Sequence, residues 1–265
     1  MLLILKSTSD EELISPIAKK VIAIANKTNI SIFCETVCTD DDDEEEFKKL
    51  SHLTKSLVLL VYLNSYNTNT AGESNDENNN IDDDEQPICI TTSRAMLRMI
   101  ATINDDTSIT ARHSSSSNNN RLYLLGKSIV EDAIIDGWLS FIWISIELPL
   151  QALLSSSSSS SSSSKSTSST VIEKQDIEKK LEFALKTIER HLLKNNSNKS
   201  HSNNHENDLY MVGIEGYTLA DYSLAISLYY MVTNNIAISS IMTSGENPQL
   251  CLWYQTIRPA IIDYI

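Results

Sequence analysis

The side chains that could do chemistry in this chain are few, and most are poorly grouped for it. Four cysteines, Cys34, Cys38, Cys89 and Cys251, lie among apolar neighbours. A thiol acts as nucleophile or metal ligand only as its thiolate, which needs cationic or metal-bearing surroundings. Cys34 and Cys38 lack a second Cys or His pair at zinc-site spacing, so reduced, partly buried thiols are expected. His52, His113, His191, His201 and His205 show no metal spacing either. No metal site is predicted. Hydroxyls are placed better. Thr91-Thr92-Ser93 precedes Ala95, Met96, Met99 and Ile100, a helical pattern that these residues would cap. Thr218 and Asp221 have the spacing of a capping box, in which the hydroxyl takes the N–H of residue 221 and the carboxylate takes that of Thr218. Tyr217 and Tyr222 flank it as a hydrophobic staple. Leu219, Ala220, Leu224, Ala225, Leu228 and Met231 then follow at helical spacing, which predicts a buried helix.

The elements that would position these groups fall into two halves. Residues 64–86, 113–120, 154–170 and 194–208 are Asn, Ser or Asp rich and too poor in apolar side chains to offset ordering entropy. Roughly 200 residues remain, enough for two domains. The first half reads β-α-β-(α)-β-β-α. It runs through the apolar Met1–Lys6, a helix opened by Ser15-Pro16, a strand at Ile30–Cys34, a weak helix at Phe47–Leu53, strands at Leu57–Leu63 and Ile88–Ile90, and the helix after Ser93. That order predicts a thioredoxin-like domain over residues 1–112, with an acidic insert at 40–46 and an Asn-rich one at 64–86. A linker at 113–120 leads to an all-helical domain over 121–265. Its first helix starts near Ser128 with Val130, Ile134, Trp138, Phe141, Ile142 and Ser145 facing one side, and Pro149 kinks or ends it. After the poly-Ser block, Ile177, Leu181, Ala184, Leu185, Ile188 and Leu192 stripe a helix over Val171–Leu193. A last helix opens near Pro248 and buries Leu250, Trp253, Tyr254 and Ile257. Trp138 and Trp253 lie on apolar stripes and read as core.

The net charge of −14 argues against phosphate-driven nucleic-acid binding, although much of the excess sits in Asp40–Glu46 and Asp82–Glu85. Leu2–Leu5 is too short for a signal segment, and no apolar run of membrane-spanning length is evident. A soluble, cytoplasmic protein with no membrane partner is expected.

Several stretches resemble one superfamily. Pro87-Ile-Cys-Ile-Thr-Thr-Ser-Arg-Ala-Met-Leu-Arg-Met-Ile-Ala101 resembles the strand-4/helix-3 signature of glutathione S-transferases (GSTs). Leu122–Gly126 with Ala133–Phe141, then Leu209–Tyr222, then Leu252-Trp253-Tyr254-Gln255-Thr256-Ile257-Arg258-Pro259, resemble the GST helical domain. They look most like the GST-like domains of translation proteins: the gamma subunit of elongation factor 1, the scaffold proteins of the multi-synthetase complex, and the appended domains of glutamyl-, methionyl- and valyl-tRNA synthetases. The resemblance implies a degenerate thioredoxin-like N-terminal domain followed by an all-α GST C-terminal-type domain.

It also says where chemistry would sit. A transferase of this superfamily activates the glutathione sulfur with a Tyr, Ser or Cys just after the first strand. Here that region holds Ser7, Thr8, Ser9 and Ser15 but no Tyr or Cys, with Ser7, Ser9 and Ser15 as the candidates. The superfamily's cis-proline before the third strand has no counterpart in Leu50–Ser56. Thr92 and Ser93 match the positions that would hold the glutamyl carboxylate of glutathione at a helix N-terminus. The expectation is thus a non-catalytic interaction module without a cofactor. Its partners would be aminoacyl-tRNA synthetases or elongation factor subunits, with homo- or hetero-dimerisation through the fold. A divergent glutathione transferase using one of those serines is the alternative. No synthetase catalytic-domain motif follows Ile265, which, if the chain is complete, is expected of a stand-alone scaffold more than of an appended synthetase domain. Thr218→Ala should lower stability by about 1 kcal/mol through the lost cap, read from the denaturation midpoint.

Overall fold

The computed structural model describes residues 2–7, 16–36, 58–62, 88–90, 92–110, 124–158, 167–199, 210–212, 216–234, 236 and 245–262. The chain divides into two compact units, Met1–Met96 and Leu97–Ile265.

In the first unit a four-stranded sheet is built from β1 (Leu2–Ser7), β2 (Phe33–Thr36), β3 (Val58–Tyr62) and β4 (Ile88–Ile90), ordered β2-β1-β3-β4. β1 and β2 are parallel, joined by helix α1 (Pro16–Lys27), while β3 is antiparallel to both β1 and β4. This is the βαβ-plus-hairpin arrangement of a thioredoxin-like domain. Alternate residues of β1, Leu3 and Leu5, are buried, as is Leu59, the register partner of Leu5. Ala18, Val21, Ile24 and Ala25 of α1 complete that core.

The expected strand at Ile30–Cys34 instead begins at Phe33. Ile30 N–H bonds back to Ala25 O at 2.8 Å, and Asn29 adopts a left-handed φ of 58°. These bonds terminate α1, so Ile30 belongs to the helix end and not to the sheet. The expected helix at 47–53 lies outside the described residues.

Helix α2 (Ser93–Thr110) contains the division between units, and the linker read at 113–120 lies outside the described residues. The second unit continues with α3 (Ile129–Ile142), a π-helical turn (Trp143–Glu147), α4 (Leu148–Ser158), α5 (Thr167–Lys199), α6 (Leu219–Thr233), α7 (Pro248–Ile257) and α8 (Pro259–Ile262). α3 packs on α6, α4 on α5, and α7 on both α5 and α6. Ser128 caps α3 by accepting from Glu131 N–H, while Glu131 Oε2 accepts from Lys127 N–H. Gly126 has φ +84°, and a Cβ there would lie 2.7 Å from the Glu131 side chain. Glycine is required at that turn.

Four expectations for this unit need correction. The buried stripe of α3 and the π turn is Ile135, Leu139, Ile142 and Ile146, whereas Val130 and Ile134 are exposed. The helix is apolar on two faces, and the packing of α6 selects one of them. Pro149 neither ends nor isolates the helix. The π turn ahead of it, with Leu148 N–H bonded to Trp143 O, widens the helix where proline lacks a donor. Helical structure also enters the poly-Ser block from both sides, to Ser158 and from Thr167. Finally, the 26-residue helical span Ile129–Leu154 is long and apolar enough to cross a membrane by length and composition. Its inner stripe and Glu147, which accepts from Ser223 Oγ at 3.4 Å, are buried against the rest of this unit. Along α5, Leu181, Ala184, Leu185, Ile188 and Leu192 are buried, on the face that their spacing indicates.

The start of α6 ties this unit together. Asp221 is fully buried and its carboxylate accepts four bonds. Oδ2 takes Thr218 N–H (2.9 Å) and the Thr218 hydroxyl (2.7 Å). Oδ1 takes Met211 N–H (2.8 Å) and Trp253 Nε1–H (3.1 Å). Burial pushes the Asp221 carboxyl above the ordinary carboxylate range, against the four donors that hold it down. A buried donor left unpaired costs about 1–3 kcal/mol. Asp221→Ala should therefore destabilise the helical unit by about 3 kcal/mol or more, well beyond Thr218→Ala, as measured by urea denaturation of the two variants side by side.

Candidate functional site

Within the first unit the sheet topology brings the sequence-predicted hydroxyl positions to one end. β1 and β4 both run antiparallel to β3, so their carboxyl ends lie at the same end of the sheet. Ser7 closes β1 and is the register partner of Thr36, the last residue of β2. Ile90 pairs with Leu59, and Leu59 with Leu5, so Thr92 lies roughly level with Ser7 two strands away. That places them about 10 Å apart across β3. Carboxyl ends of strands followed by a helix N-terminus are where such folds can hold an anion. Ser9 and Ser15 lie outside the described residues, as does the segment 50–57 that lacks a proline.

The helix cap is made by Thr92. Its hydroxyl accepts from Ala95 N–H at 3.3 Å, its carbonyl accepts from Met96 N–H at 3.0 Å, and Ser93 is the first helical residue, 8% exposed. Thr92 Oγ1 thus caps the helix as an acceptor, and its O–H can still donate. Cys34, on the edge strand β2, is exposed, and partial burial pushes its thiol up and away from thiolate. No group of three or more His, Cys, Asp or Glu able to hold a metal is present among the described residues.

The other residues that sequence reasoning singled out gather in the second unit. Tyr217 and Tyr222 meet edge-on at 6.2 Å, with Tyr210 on the far side of Tyr217 at 5.2 Å. Trp253 is fully buried on Asp221, while Trp138 is half-buried between Phe141 and His191. His191 Nε2 and Asn195 Nδ2 reach the Met211 carbonyl from α5. Two polar residues escaped sequence reasoning. Glu189 of α5, 6% exposed, accepts from Gln249 N–H (3.1 Å) and Leu250 N–H (2.7 Å) and so caps α7 from a distance of 60 residues. Arg98 of α2 forks onto Asp132 (2.8 and 3.0 Å) and reaches Asp136 (3.0 Å), and the Asp132 hydrogen bond raises its pKa. Neither partner set lies near its residue in sequence, so no local pattern marks them.

No family model and no curated protein matches the sequence. Solved structures do. The nitrogen regulation fragment of the yeast prion protein Ure2p aligns over 100% of this chain and 96% of its own, with TM-score 0.64 and 15% identity. The fold is that of the glutathione S-transferases. Ure2p in complex with S-hexylglutathione gives TM-score 0.67 at 15% identity over 99% of this chain and 97% of that one. A glutathione transferase from Pseudomonas putida, with glutathione disulfide bound, gives 0.61 at 16% over 99% and 90%. The likeness at such identity is one of GST fold, a thioredoxin-like domain followed by a helical one. Thr92→Ala should lower thermal stability of the chain by an amount equivalent to about 1 kcal/mol, whereas Thr92→Ser, which keeps the capping oxygen, should leave the melting temperature near that of the parent.

Proposed function

We propose that this chain is a non-catalytic interaction module of GST fold, a scaffold or accessory component of the translation machinery in the cytoplasm. The observation that carries the reading is the lack of a Tyr or Cys between β1 and α1, alongside a Thr92 hydroxyl that caps α2. Thr92 Oγ1 accepts Ala95 N–H at one of the two described positions, Thr92 and Ser93, that match a glutathione contact. The segment between β1 and α1 offers the hydroxyls of Thr8, Ser9 and Ser15 but not the Tyr or Cys that thiolate chemistry favours. The partners are aminoacyl-tRNA synthetases or elongation factor 1 subunits, on the strength of the motifs around Leu122–Phe141, Leu209–Tyr222 and Leu252–Pro259. An acidic chain of net charge −14 suits basic protein partners. Edge strand β2, with Phe33 61% exposed, offers a surface for them in the first unit.

The second reading is a divergent glutathione transferase using Ser7, Ser9 or Ser15. It is favoured by the ligands of the structural neighbours, glutathione in Ure2p and glutathione disulfide in the Pseudomonas putida enzyme. The two readings separate cleanly. The interaction module passes through immobilised glutathione unretained, and from native lysate it co-purifies with synthetases or elongation factor subunits. Saturable glutathione conjugation that is lost in Ser7→Ala or Ser9→Ala would instead establish the transferase.

A further inference from the structure

Helix α5 carries its charges sorted and not mixed. Its acidic residues turn inward or to the flanks: Glu189 is buried on the start of α7, while Glu178 and Glu182 are half-buried. From Lys179 to Lys194 every residue of α5 that is exposed is either cationic or large and apolar. At about 3.6 residues per turn, Lys179, Phe183, Lys186, Arg190, Leu193 and Lys194 share an arc of about 100° and a length of about 22 Å. That arc lies opposite the buried Leu181, Leu185, Ile188 and Leu192. Exposed lysines on a helix are ordinarily a solvated face interleaved with acids. Two observations set this face apart. Phe183 is 66% exposed and Leu193 46%, each flanked by cations three or four positions away or next to it. Arg190, between them, makes no ion pair among the described residues. Lys186 is bonded to Glu182 at 2.6 Å and lies in the field of Glu246, while Lys179 meets Asp176 only at 3.9 Å.

The chain holds 21 Lys and Arg against a net charge of −14, and five of those cations stand on the sixteen residues 179–194. Positive charge is thus concentrated on one face of a protein that elsewhere repels anions. The face asks for carboxylates or phosphates, and its apolar residues choose between them. Leu193 has no ring on which a base could stack, as a polynucleotide site would supply. Lys186 and Arg190 separate Phe183 from Leu193, so no continuous apolar face is available to sink into a bilayer. A long polyanion of either kind would also run past the stripe onto acidic surface, which a short peptide does not. We infer that the outer face of α5 docks an acidic segment of a partner protein, about seven residues long if extended. Carboxylates of the segment meet Lys179, Lys186, Arg190 and Lys194, and its apolar side chains cover Phe183 and Leu193. The inference rests on the interaction-module reading and names the chemistry of one partner segment, opposite in sign to the basic partners that the chain at large suits.

The test is fluorescence anisotropy of a labelled peptide, in which glutamates alternate with leucine and phenylalanine, titrated with the purified full chain near physiological salt. The Debye length there is about 8 Å, so the peptide feels the cations it touches more than the distant acidic surface. The expected result is saturable binding that Arg190→Glu weakens about tenfold or more and Phe183→Ser about fivefold. Both side chains are exposed, so the unfolding transition of each variant should stay that of the parent. Lys179→Gln, a milder change at the other end of the stripe, should weaken binding about threefold. A synthetic peptide reports on this face alone, so its failure is distinct from a failure to capture translation proteins from lysate. Absence of saturable binding overturns the inference, as does binding indifferent to all three substitutions. Binding of single-stranded RNA or phosphatidylserine vesicles that depends on Arg190 and is tighter than that of the peptide overturns it too.

Discussion

Removing a carboxylate from water is costly, and the helical unit does so at Asp221 because four donors converge there. Two of them close the start of α6 in the local manner of a capping box. The other two, Met211 N–H and Trp253 Nε1–H, bring in the segment before α6 and the helix α7. Leu219 N–H, at the first turn, goes to Leu124 O and thereby anchors the entry to α3. One side chain thus organises segments from Leu124 to Trp253. The aromatic stack Tyr210, Tyr217 and Tyr222 and the neighbouring apolar core exclude the water that would otherwise compete for these bonds.

Helix ends elsewhere in the unit are closed in the same currency of long-range carboxylates. Asn247 occupies the cap position of α7 but makes no side-chain capping bond, and Pro248 supplies no donor. Glu189 accepts the next two N–H groups from across the helix interface. Its favourable charge at a helix N-terminus adds to those bonds. Arg98 similarly spends its planar fork on two carboxylates one turn apart on α3. These polar contacts fix how α2, α3, α5, α6 and α7 meet, while the apolar stripes supply most of the burial.

Three of the described hydroxyl positions of the first unit gather at the carboxyl end of the sheet. Parallel β1 and β2 and the antiparallel pairing of β3 with β1 and β4 bring Ser7, Thr36 and Thr92 to one end of the sheet. There Thr92 Oγ1 caps α2 as an acceptor. Away from that end, exposed apolar surfaces are the distinctive features. The exposed Phe33 on the edge of the sheet and the outer face of α3 are such surfaces.

The strand and helix order, the stripe of α5, and the pairing of Thr218 with Asp221 and Tyr217 with Tyr222 were legible from spacing alone. Each depends on residues within one or two turns of each other, so periodicity and capping chemistry determine it. The GST fold was legible too, through motifs that encode these same local contacts. Tertiary structure decided what spacing leaves degenerate. Helix α3 is apolar on two faces, and only α6 selected Ile135 and Leu139 over Val130 and Ile134 for the core. The alternation from Ile30 to Cys34 was overridden by the hydrogen bonds that end α1. Met211, Trp253, Glu189 and Arg98 took their roles from partners at least ten residues away in sequence. A carboxylate or guanidinium finds such partners only once the helices that carry them have packed.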